Sequence, residues 1–258
     1  MNMQEVFDSL PVTVEGESKI VKYWKDDLCL IKLKPTIYSF TANRAGIVEG
    51  SDMLRYEASK IFTRALREKK INHSYQDFQD GIIVSKYVKN APPIEVIVKA
   101  FHSGTSKHRY YQMNKHPIRE GLIHCGTRIE AEQPYPKPIV RFDWRNPLHD
   151  ANGKTLADEV LCEEQADWFI DVNVAKKTAL KTFMAISDIL NESDIVLYDL
   201  CLFISQDGKE VFGEISQDCG RFRHYSLGSL DKDEWRAGGS SEHVLSKWKL
   251  LLDLLNKK

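Results

Sequence analysis

The stretch Tyr198–Arg221 decides how this chain folds, and it reads YDLCLFISQDGKEVFGEISQDCGR. Two apolar runs, Ile195–Ile204 and Glu210–Ile215, lie on either side of the turn sequence Gln206–Lys209. Apolar runs that are separated by a short turn containing Asp-Gly are typical of a β-hairpin. We therefore predict a hairpin in the C-terminal third of the chain, followed directly by a polar loop.

The polar loop carries Glu214, Asp218 and Arg221. Carboxylates beside a cation at a strand end suit magnesium and substrate binding, and a salt-bridged turn is the structural alternative. Further along, the run Asp231–Arg236 reads DKDEWR, which suits either a binding site or ordinary helix capping. Both segments are candidates for a functional site.

Apolar periodicity places the other elements. Strands are predicted at Lys19–Trp24, Leu28–Leu33, Tyr75–Gln79, Gly81–Val88 and Ile94–Phe101, with one helix at Asp52–Lys70. Residues 1–14 are a short lead-in, and residues 103–155 are a long loop region with short strands near Leu122–Ile123 and Ile139–Phe142. Two more helices are predicted at Glu163–Asn191 and Ser241–Leu255.

These patterns predict an α+β fold with two lobes. Residues 1–100 form an antiparallel, β-rich N-terminal lobe with one helix. Residues 101–258 form a larger α+β lobe with the substrate loops, the hairpin and the C-terminal helix. Because ligand sites are common at such boundaries, we expect a binding cleft between the lobes.

Charge and cysteine content exclude several classes of protein. The 258 residues include 36 Lys and Arg against 37 Asp and Glu, so the net charge of -1 leaves no surplus for non-specific nucleic-acid binding. Five scattered cysteines without a C-x-x-C pair argue against a disulfide framework or a zinc site. Without an apolar run long enough for a signal peptide or a membrane span, we expect a soluble, cytoplasmic protein. Homo-oligomers are common among such proteins, and nothing in the sequence fixes their number.

The segment Lys99–Arg109, which reads KAFHSGTSKHR, is the best candidate for anion binding. Its turn Ser103–Thr105 is flanked by the cations Lys99, Lys107 and Arg109. Backbone N–H groups, hydroxyls and cations at a strand end form a cradle for phosphate or carboxylate. His102 and His108 are candidates for titration or metal binding, although isolated loop histidines are more often plain polar residues.

Two further segments suit a small-molecule site. A lysine in Gly16–Lys19, before the first strand, can reach nucleotide phosphates, with a solvated lysine as the alternative. In Arg141–Asp150, the side chains of Asp143, His149 and Asp150 can position an amine or take a proton, with a hydrogen-bonded loop as the alternative. No Walker, Rossmann, H-E-x-x-H or G-x-S-x-G motif occurs, which argues against those routes to function.

Taken in order, the segments resemble the SAICAR synthetase family, the phosphoribosylaminoimidazole-succinocarboxamide synthetases of purine biosynthesis, nearly end to end. The family's G-K-x-K, E-V-V-V-R and A-G-S correspond to Gly16–Lys19, Glu95–Lys99 and Ser103–Thr105. Its H-D-P loop corresponds to His149-Asp150, its D-x-K-x-E-F-G to Asp199–Ser205, and its G-D-E-x-S-P-D-x-x-R to Gly213–Arg221. The closing D-K-D-x-x-R is intact as Asp231–Arg236.

The resemblance implies ATP and Mg²⁺ in a cleft, and an amide ligase that joins a carboxylated aminoimidazole ribonucleotide to L-aspartate through an acyl phosphate. It implies that the catalytic residues are Glu214, Asp218 and Lys99, with Glu214 also the metal ligand. The implied substrate-binding residues are Ser103, Gly104, Thr105, Arg109, Arg221, Lys232, Arg236, His149 and Asp150. The implied nucleotide-binding residues are Gly16, Lys19 and Glu95.

The chain departs from the family pattern where ATP chemistry takes place. Glu17 replaces the first lysine of G-K-x-K, and Cys201 and Phe203 replace the lysine and the glutamate of D-x-K-x-E. The aspartate of G-D-E has no counterpart, since Gly213 runs straight into Glu214. Because phenylalanine cannot bind magnesium, these changes weaken a metal site that depends on few carboxylates. The anion-binding residues survive in type.

Three interpretations follow. The first is an ATP-dependent amide ligase with altered nucleotide contacts. The second is a diverged relative that binds an aminoimidazole-type or purine-like phosphoribosyl nucleotide and performs ATP-independent chemistry in a specialised nucleoside pathway. His102, His108 and His124 then supply acid–base groups. The third, a non-catalytic binding protein, is less favoured because the charged site residues persist.

Overall fold

A five-stranded antiparallel sheet organises the N-terminal part of the chain. The computed structural model describes residues 2–39, 44–104, 110–122, 124–151 and 156–257. The first elements are α1 (Met3–Ser9), β1 (Val14–Glu15), β2 (Lys19–Tyr23), β3 (Leu28–Leu33), β4 (Thr36–Ser39), β5 (Arg44–Ile47), α2 (Ser51–Glu68), β6 (Tyr75–Gln79) and β7 (Ile82–Lys86). The sheet order is β1-β2-β3-β7-β6, and β4 pairs separately with β5.

A larger antiparallel sheet organises the rest. Its strands are β8 (Ile94–Phe101), β9 (Pro134–Trp144), β10 (Glu159–Leu161), β11 (Ile195–Ile204), β12 (Val211–Phe212), β13 (Gly220–His224) and β14 (Gly228–Ser229). The order is β10-β9-β8-β11-β13-β14, with β12 paired to β11. The helices are α3 (Glu163–Ala166), α4 (Val172–Asn191), α5 (Asp233–Arg236) and α6 (Ser241–Leu255). None of the described helices is both long and apolar enough to cross a bilayer.

The larger sheet has one core face and one open face. Along β11, Leu200 and Leu202 are fully buried, whereas Cys201 and Phe203 are half-buried on the other side. This alternation follows from the two-residue period of a strand. Helix α4 packs against β11 and β8, so the chemistry-bearing residues of these strands are left on the open face.

Helix α2 joins the two sheets through one continuous core. Its Phe62 stacks on Phe222 of β13, with ring centroids 5.9 Å apart. Burying two aromatic rings against each other stabilises the contact by about 0.5–1.5 kcal/mol beyond the area removed from water. The two parts of the chain therefore share a hydrophobic core, and α2 holds the smaller sheet beside the larger one.

The predicted α+β class is confirmed, and several elements match the prediction to the residue: Leu28–Leu33, Tyr75–Gln79, Ile94–Phe101, Ile195–Ile204 and Ser241–Leu255. Strand β8, the last element of the predicted N-terminal lobe, hydrogen-bonds to β9 and β11. It therefore belongs to the larger sheet. The five cysteines are unpaired, as expected.

The prediction of a single long helix at Glu163–Asn191 is wrong, because the helical conformation is interrupted between α3 and α4. The Asp171 carboxylate accepts a hydrogen bond from the backbone N–H of Val174 at 3.0 Å and so begins α4. The backbone N–H of Asp171 donates to the carbonyl of Gln206 at 2.9 Å. The hairpin turn thus packs on the break, a tertiary contact that helical periodicity does not report.

Three local predictions are also corrected. The lead-in contains helix α1, where the Asn2 side chain accepts from the Gln4 backbone N–H at 2.8 Å as an N-cap. The second hairpin strand ends at Phe212, since Gly213 has a φ of 83° and leaves the extended conformation. Leu122 lies outside any strand, and its predicted partner Ile123 is outside the described residues.

Candidate functional site

A row of charged side chains crosses three strands on the open face of the larger sheet. Lys99 of β8 lies opposite Asp199 of β11, and Asp199 lies opposite Arg221 of β13. The Lys99 Nζ and Arg221 Nη1 atoms donate to the same oxygen, Asp199 Oδ2, at 2.7 and 2.6 Å. Because directly opposed residues share a face, the strand register alone brings these three groups together.

The row is buried and carries two cations for one carboxylate, and Arg221 Nε also lies 3.7 Å from Asp233 Oδ1 of the neighbouring network. Burial would raise the pKa of Asp199, but the charges of Arg221 and Lys99 more than offset it and hold that pKa well below its usual range. Burial lowers the pKa of Lys99, although Asp199 favours the charged form. The positive surplus suits an anionic group of a ligand.

The turn after β8 closes over this row. Gly104 has a φ of 60°, and a Cβ placed there would lie 2.1 Å from Arg221 Nη2, so the backbone contacts the guanidinium. The hydroxyl of Ser103 is buried and has no hydrogen-bond partner within the described ranges. Lys99, Ser103, Gly104 and Arg221 therefore form what we call the anion cradle.

A second charge network lies beside the cradle. Arg223 pairs with both Asp231 and Asp233, and Arg236 pairs with Asp233. Lys232 Nζ lies 3.2 Å from Asp218 Oδ1. Asp231 Oδ1 also accepts from the Asp233 backbone N–H at 2.7 Å, but the N-cap residue of α5 is Lys232, whose side chain makes no cap hydrogen bond. The network holds α5 against the end of β13.

Glu214 lies in a buried ion pair. Its two carboxylate oxygens accept from Arg55 Nε and Nη2, each at 2.8 Å, and one of them also accepts from Ser216 Oγ at 2.6 Å. Burial would raise the pKa of Glu214, but Arg55 outweighs it and brings the pKa down to about 2. The carboxylate is ionised, and protein donors occupy both of its oxygens.

Phe203, at the other end of the open face, is in contact with two cations. Lys19 Nζ lies 4.9 Å from the ring centroid and Arg145 Cζ lies 5.0 Å from it. The backbone of Gly213 lies close to the Phe203 ring, since a Cβ placed on Gly213 would lie 3.0 Å from Phe203 Cδ2. We call Lys19, Phe203 and Arg145 the cation–aromatic cluster.

Several carboxylates lie at the Phe203 end of the open face. Glu95 is directly opposite Asp143, and Glu95 Oε2 accepts from Cys201 Sγ at 3.1 Å. Asp143 Oδ2 accepts from Arg141 Nη2 at 2.6 Å. Burial raises the pKa of the nearby Asp158 to about 6, so this carboxyl group titrates close to neutral pH.

The remaining predicted residues are spread around these groups. Gly16 is exposed in the turn before β2, and its N–H donates to the carbonyl of Lys19 at 2.9 Å. His149 is exposed and Asp150 is half-buried in the loop after β9. His102 is buried, with Nδ1 3.0 Å from Tyr135 Oη. The predictions for Thr105, Lys107, His108 and Arg109 lie outside the described residues.

The sequence of the chain matches a known protein family. The SAICAR synthetase profile matches residues 13–249. The chain belongs to the SAICAR synthetase family. Proteins of this family are ligases that use ATP and Mg²⁺.

Two relatives are similar over nearly the whole chain. The bifunctional cordycepin biosynthesis cluster protein 3 of Cordyceps militaris is 28% identical over 292 aligned positions, which cover 95% of this chain and 33% of that protein. The chain thus spans about a third of the length of this relative. The phosphoribosylaminoimidazole-succinocarboxamide synthase of Sulfolobus acidocaldarius is 28% identical, and the match covers 94% of this chain and 97% of that protein.

A solved structure shows the same fold. The phosphoribosylaminoimidazole-succinocarboxamide synthase of Ehrlichia chaffeensis superimposes with a TM-score of 0.78 at 21% identity. The match covers 96% of this chain and 99% of that one. The arrangement of two antiparallel sheets joined by α2 is therefore the fold of the SAICAR synthetase family.

The residues present do not fit a magnesium ion of the SAICAR synthetase type. Mg²⁺ requires oxygen ligands in near-octahedral geometry. The ring of Phe203 supplies none, and Arg55 and Ser216 occupy the oxygens of Glu214. Within the described ranges, no group of three His, Cys, Asp or Glu side chains is placed to hold a metal ion.

Sequence reasoning missed several cations that define the site: Arg55, Arg141, Arg145 and Arg223. One signal was available for Arg55, which shares a helical stripe with the buried Ser59, Phe62 and Leu66. A charged residue on an apolar face is almost never fully buried unless it is paired. Arg145 and Arg223 meet their partners only through the fold, because Phe203 and Asp231 come from other segments. Arg141 pairs with Asp143, two residues along the same strand.

Proposed function

We propose that this chain is an enzyme that binds a phosphoribosyl nucleotide with an aminoimidazole or purine-like base and transforms it without Mg-ATP. The observation that carries the proposal is the contrast on the open sheet face. The described residues of the anion cradle are all present. At the two positions where the family motifs place metal ligands, the chain instead has Phe203, in the cation–aromatic cluster, and Glu214, which pairs with Arg55.

The cradle suits the phosphate of the nucleotide. Lys99 and Arg221 supply charge, the Ser103 hydroxyl is free to donate, and the backbone at Gly104 lies against the guanidinium. Charge-assisted hydrogen bonds of this kind are about twice as strong as neutral ones. Asp199 keeps the two cations in place when no ligand is bound.

The Phe203 end of the open face suits work on the base. Glu95 is level with Phe203 in the strand register and accepts from Cys201, and the nearby Asp158 carboxyl group has a pKa of about 6. A group that titrates near the working pH is well suited to move a proton. We assign the acid–base role to this region rather than to the exposed His149.

The relative from Cordyceps militaris supports a nucleoside pathway. Its name places it in a cordycepin biosynthesis cluster, and the match covers 95% of this chain and 33% of that protein. The proposal therefore assigns this chain to specialised nucleoside chemistry rather than to the primary purine pathway.

An ATP-dependent amide ligase is the second candidate. It is favoured by the match of residues 13–249 to the SAICAR synthetase family and by Lys19, the retained lysine of the family's G-K-x-K motif. In that case aspartate or another amine displaces an activated carboxylate of the ribonucleotide.

Calorimetric titration separates the two candidates. Mg-ATP is titrated into the protein with and without the carboxylated aminoimidazole ribonucleotide, and the ribonucleotide is titrated alone. We expect saturable binding of the ribonucleotide and no detectable binding of Mg-ATP. Saturable Mg-ATP binding would instead favour the ligase and would justify a screen of amine donors.

A further inference from the structure

The fold brings two of the scattered cysteines side by side on the larger sheet. The strand register pairs Leu200 of β11 with Gly220 of β13. One step further along, Cys201 lies opposite Cys219, and the backbone N–H of Cys201 donates to the Cys219 carbonyl at 2.7 Å. Both side chains are half-buried and neither is in a disulfide. We call Cys201 and Cys219 the thiol pair.

The two side chains of the thiol pair project from the same face of the sheet. Side chains alternate between the faces of a strand, so Cys201 shares the open face with Asp199, and Cys219 shares it with Arg221. Directly opposed residues of an antiparallel pair have Cα atoms about 4.5–5.5 Å apart. A disulfide spans about 4.4–6.8 Å between Cα atoms. The backbone spacing therefore permits a bond between the two sulfur atoms.

Each sulfur atom of the thiol pair contacts a different neighbour. Cys201 Sγ donates to Glu95 Oε2 at 3.1 Å. Cys219 Sγ donates to the backbone carbonyl of Glu214 at 3.5 Å and lies 3.9 Å from Ser216 Oγ. A thiol is a weak hydrogen-bond donor, so these contacts oppose a change of rotamer only weakly. A rotation about χ1 of each cysteine turns the two sulfur atoms toward each other.

The thiol pair lies between the two ends of the open face. Along β11, Cys201 is two residues from Asp199, beside the anion cradle, and two residues from Phe203. These steps correspond to about 7 Å in each direction. A nucleotide with its phosphate in the cradle and its base at the Phe203 end therefore passes over Cys201.

Burial limits the reactivity of the two thiols, and one of them has a base beside it. Burial raises the pKa of Cys219 to about 12 and raises that of Cys201 as well, where the charge of Glu95 adds to the effect. Both thiols are therefore protonated at neutral pH and react slowly with weak oxidants. Glu95 already accepts from Cys201, so its carboxylate is placed to take the proton when this thiol is oxidised.

We infer that Cys201 and Cys219 form a reversible disulfide in the presence of hydrogen peroxide, and that this bond weakens nucleotide binding. Cys201 gives its proton to Glu95, and its sulfur attacks one oxygen of the peroxide. The O–O bond breaks, the other oxygen leaves as water with that proton, and a sulfenic acid forms. The sulfur of Cys219 then displaces the hydroxyl group, which leaves as a second water with the Cys219 proton. Two thiols are oxidised and one peroxide is reduced.

The disulfide changes the site in two ways. It takes the thiol donor away from Glu95, so this carboxylate repels an anionic ligand more strongly. It also ties the turn before β13 to β11, and that turn carries Asp218, which lies 3.2 Å from Lys232 Nζ. The effect on binding rests on the proposed function, whereas the formation of the disulfide does not.

The test compares the full chain in its reduced and its peroxide-treated form. For mapping, the remaining thiols are blocked with N-ethylmaleimide and the protein is digested with trypsin without reduction. Because trypsin cleaves after Lys209, the disulfide joins two separate peptides, Thr182–Lys209 and Glu210–Arg221. We expect mass spectrometry to detect this cross-linked pair.

Titration calorimetry of both forms measures the effect on binding. The carboxylated aminoimidazole ribonucleotide should bind the oxidised protein at least about tenfold more weakly than the reduced protein. Dithiothreitol should restore the affinity, because it reduces the disulfide.

Two variants make the result specific. Cys219→Ser removes one sulfur of the thiol pair, so it should bind the ribonucleotide as the reduced parent does, before and after peroxide. Cys125→Ser removes an exposed thiol outside the pair and should keep both the cross-link and the loss of affinity. A circular-dichroism melt shows whether each variant folds, and the peptide map of the parent chain needs no variant.

The outcomes separate this inference from the proposed function. If the cross-linked pair is absent, or if it forms and the affinity is unchanged, this inference is wrong and the proposed function stands. A loss of affinity that persists in Cys219→Ser would assign the effect to another oxidised residue and would also contradict the inference. If the reduced parent binds no ribonucleotide, the proposed function is wrong, and so is the effect on binding.

Discussion

The anion cradle and the cation–aromatic cluster lie on the same sheet face and place their cations differently. In the cradle, Lys99 and Arg221 share the buried carboxylate of Asp199. In the cluster, Lys19 and Arg145 lie on the ring of Phe203. A carboxylate holds its cations strongly and neutralises part of their charge, whereas a ring holds them weakly and leaves their charge available.

This difference shows where the chain keeps the residue types of the family motifs and where it departs from them. The cradle retains two cations, a buried hydroxyl group and a closely approaching backbone segment in one place, and this combination suits a phosphate. At the cluster, the oxygen donor that a metal needs is replaced by a hydrocarbon ring. Four predictions test this comparison.

The first prediction concerns whether Glu214 is structural. Arg55→Leu should lower the free energy of unfolding by about 3–5 kcal/mol, because it leaves a buried carboxylate without its partner. Urea unfolding measures the loss. Arg64→Leu, on the exposed side of the same helix, is the control and should change stability by less than about 0.5 kcal/mol. If the Arg55→Leu protein keeps its free energy of unfolding and Mg²⁺ increases it further, Glu214 is a metal ligand after all.

The second prediction tests the cradle. Arg221→Met should weaken ribonucleotide binding by about 2–3 kcal/mol, roughly 30- to 150-fold, because a charge-assisted contact is lost while Lys99 still neutralises Asp199. Titration calorimetry measures the affinity, with Arg64→Met as the matched control. Unchanged affinity in a folded Arg221→Met protein would place the phosphate elsewhere.

The third prediction tests the cluster by restoring the family residues. The double variant Cys201→Lys/Phe203→Glu should bind Mg-ATP at least about tenfold more tightly than the parent, a gain of about 1.4 kcal/mol, since it returns a metal-binding oxygen. The lysine at 201 would face Glu95, which now accepts from the thiol at 3.1 Å. Cys201→Lys alone, which adds no oxygen, should show little gain. Identical nucleotide binding in parent and double variant would show that the old pocket geometry is gone.

The fourth prediction uses the carboxyl group of Asp158, at the Phe203 end of the open face. Burial raises the pKa of Asp158 to about 6, above its unfolded value near 4. The folded state therefore holds this proton more tightly, and stability is lost as pH rises from about 4 through 6. Because Asp158 is only partly buried, solvent screening limits the effect to about 1 kcal/mol or less.

Asp158→Asn isolates that contribution, because the amide stays neutral at every pH. The free energy of unfolding is measured for both proteins between pH 5 and pH 7.5. The parent should lose stability relative to Asp158→Asn as the pH rises. Parallel curves would mean that Asp158 titrates in the folded protein as it does in the unfolded chain.

The predictability of the fold differed between regular and irregular parts. Strands such as Leu28–Leu33 and Ile94–Phe101 were correct because each pattern of apolar residues reports burial directly. The break before Val172 was missed, because the turn at Gln206 packs on it from a distant part of the chain. Local periodicity carries no information about such a contact.

The candidate site shows the same division. Lys99, Asp199 and Arg221 were recognisable from motif order, and the strand register then brought them together as expected for functional residues at neighbouring positions. Arg145 and Asp158 were not predicted, since neither belongs to a motif and each acquires its neighbours only when the loop after β9 folds back.

The sequence by itself determined the α+β class, the hairpin, the terminal helix, the family and the loss of an oxygen donor at Phe203. Only the tertiary structure decided that Arg55 donates to both carboxylate oxygens of Glu214, and that Lys19 and Arg145 both contact the ring of Phe203. The physical reason is that periodicity and motifs report neighbours along the chain. The charge state and availability of a buried group depend instead on partners that arrive from other strands and helices, and the energies of those contacts change steeply with distance and burial.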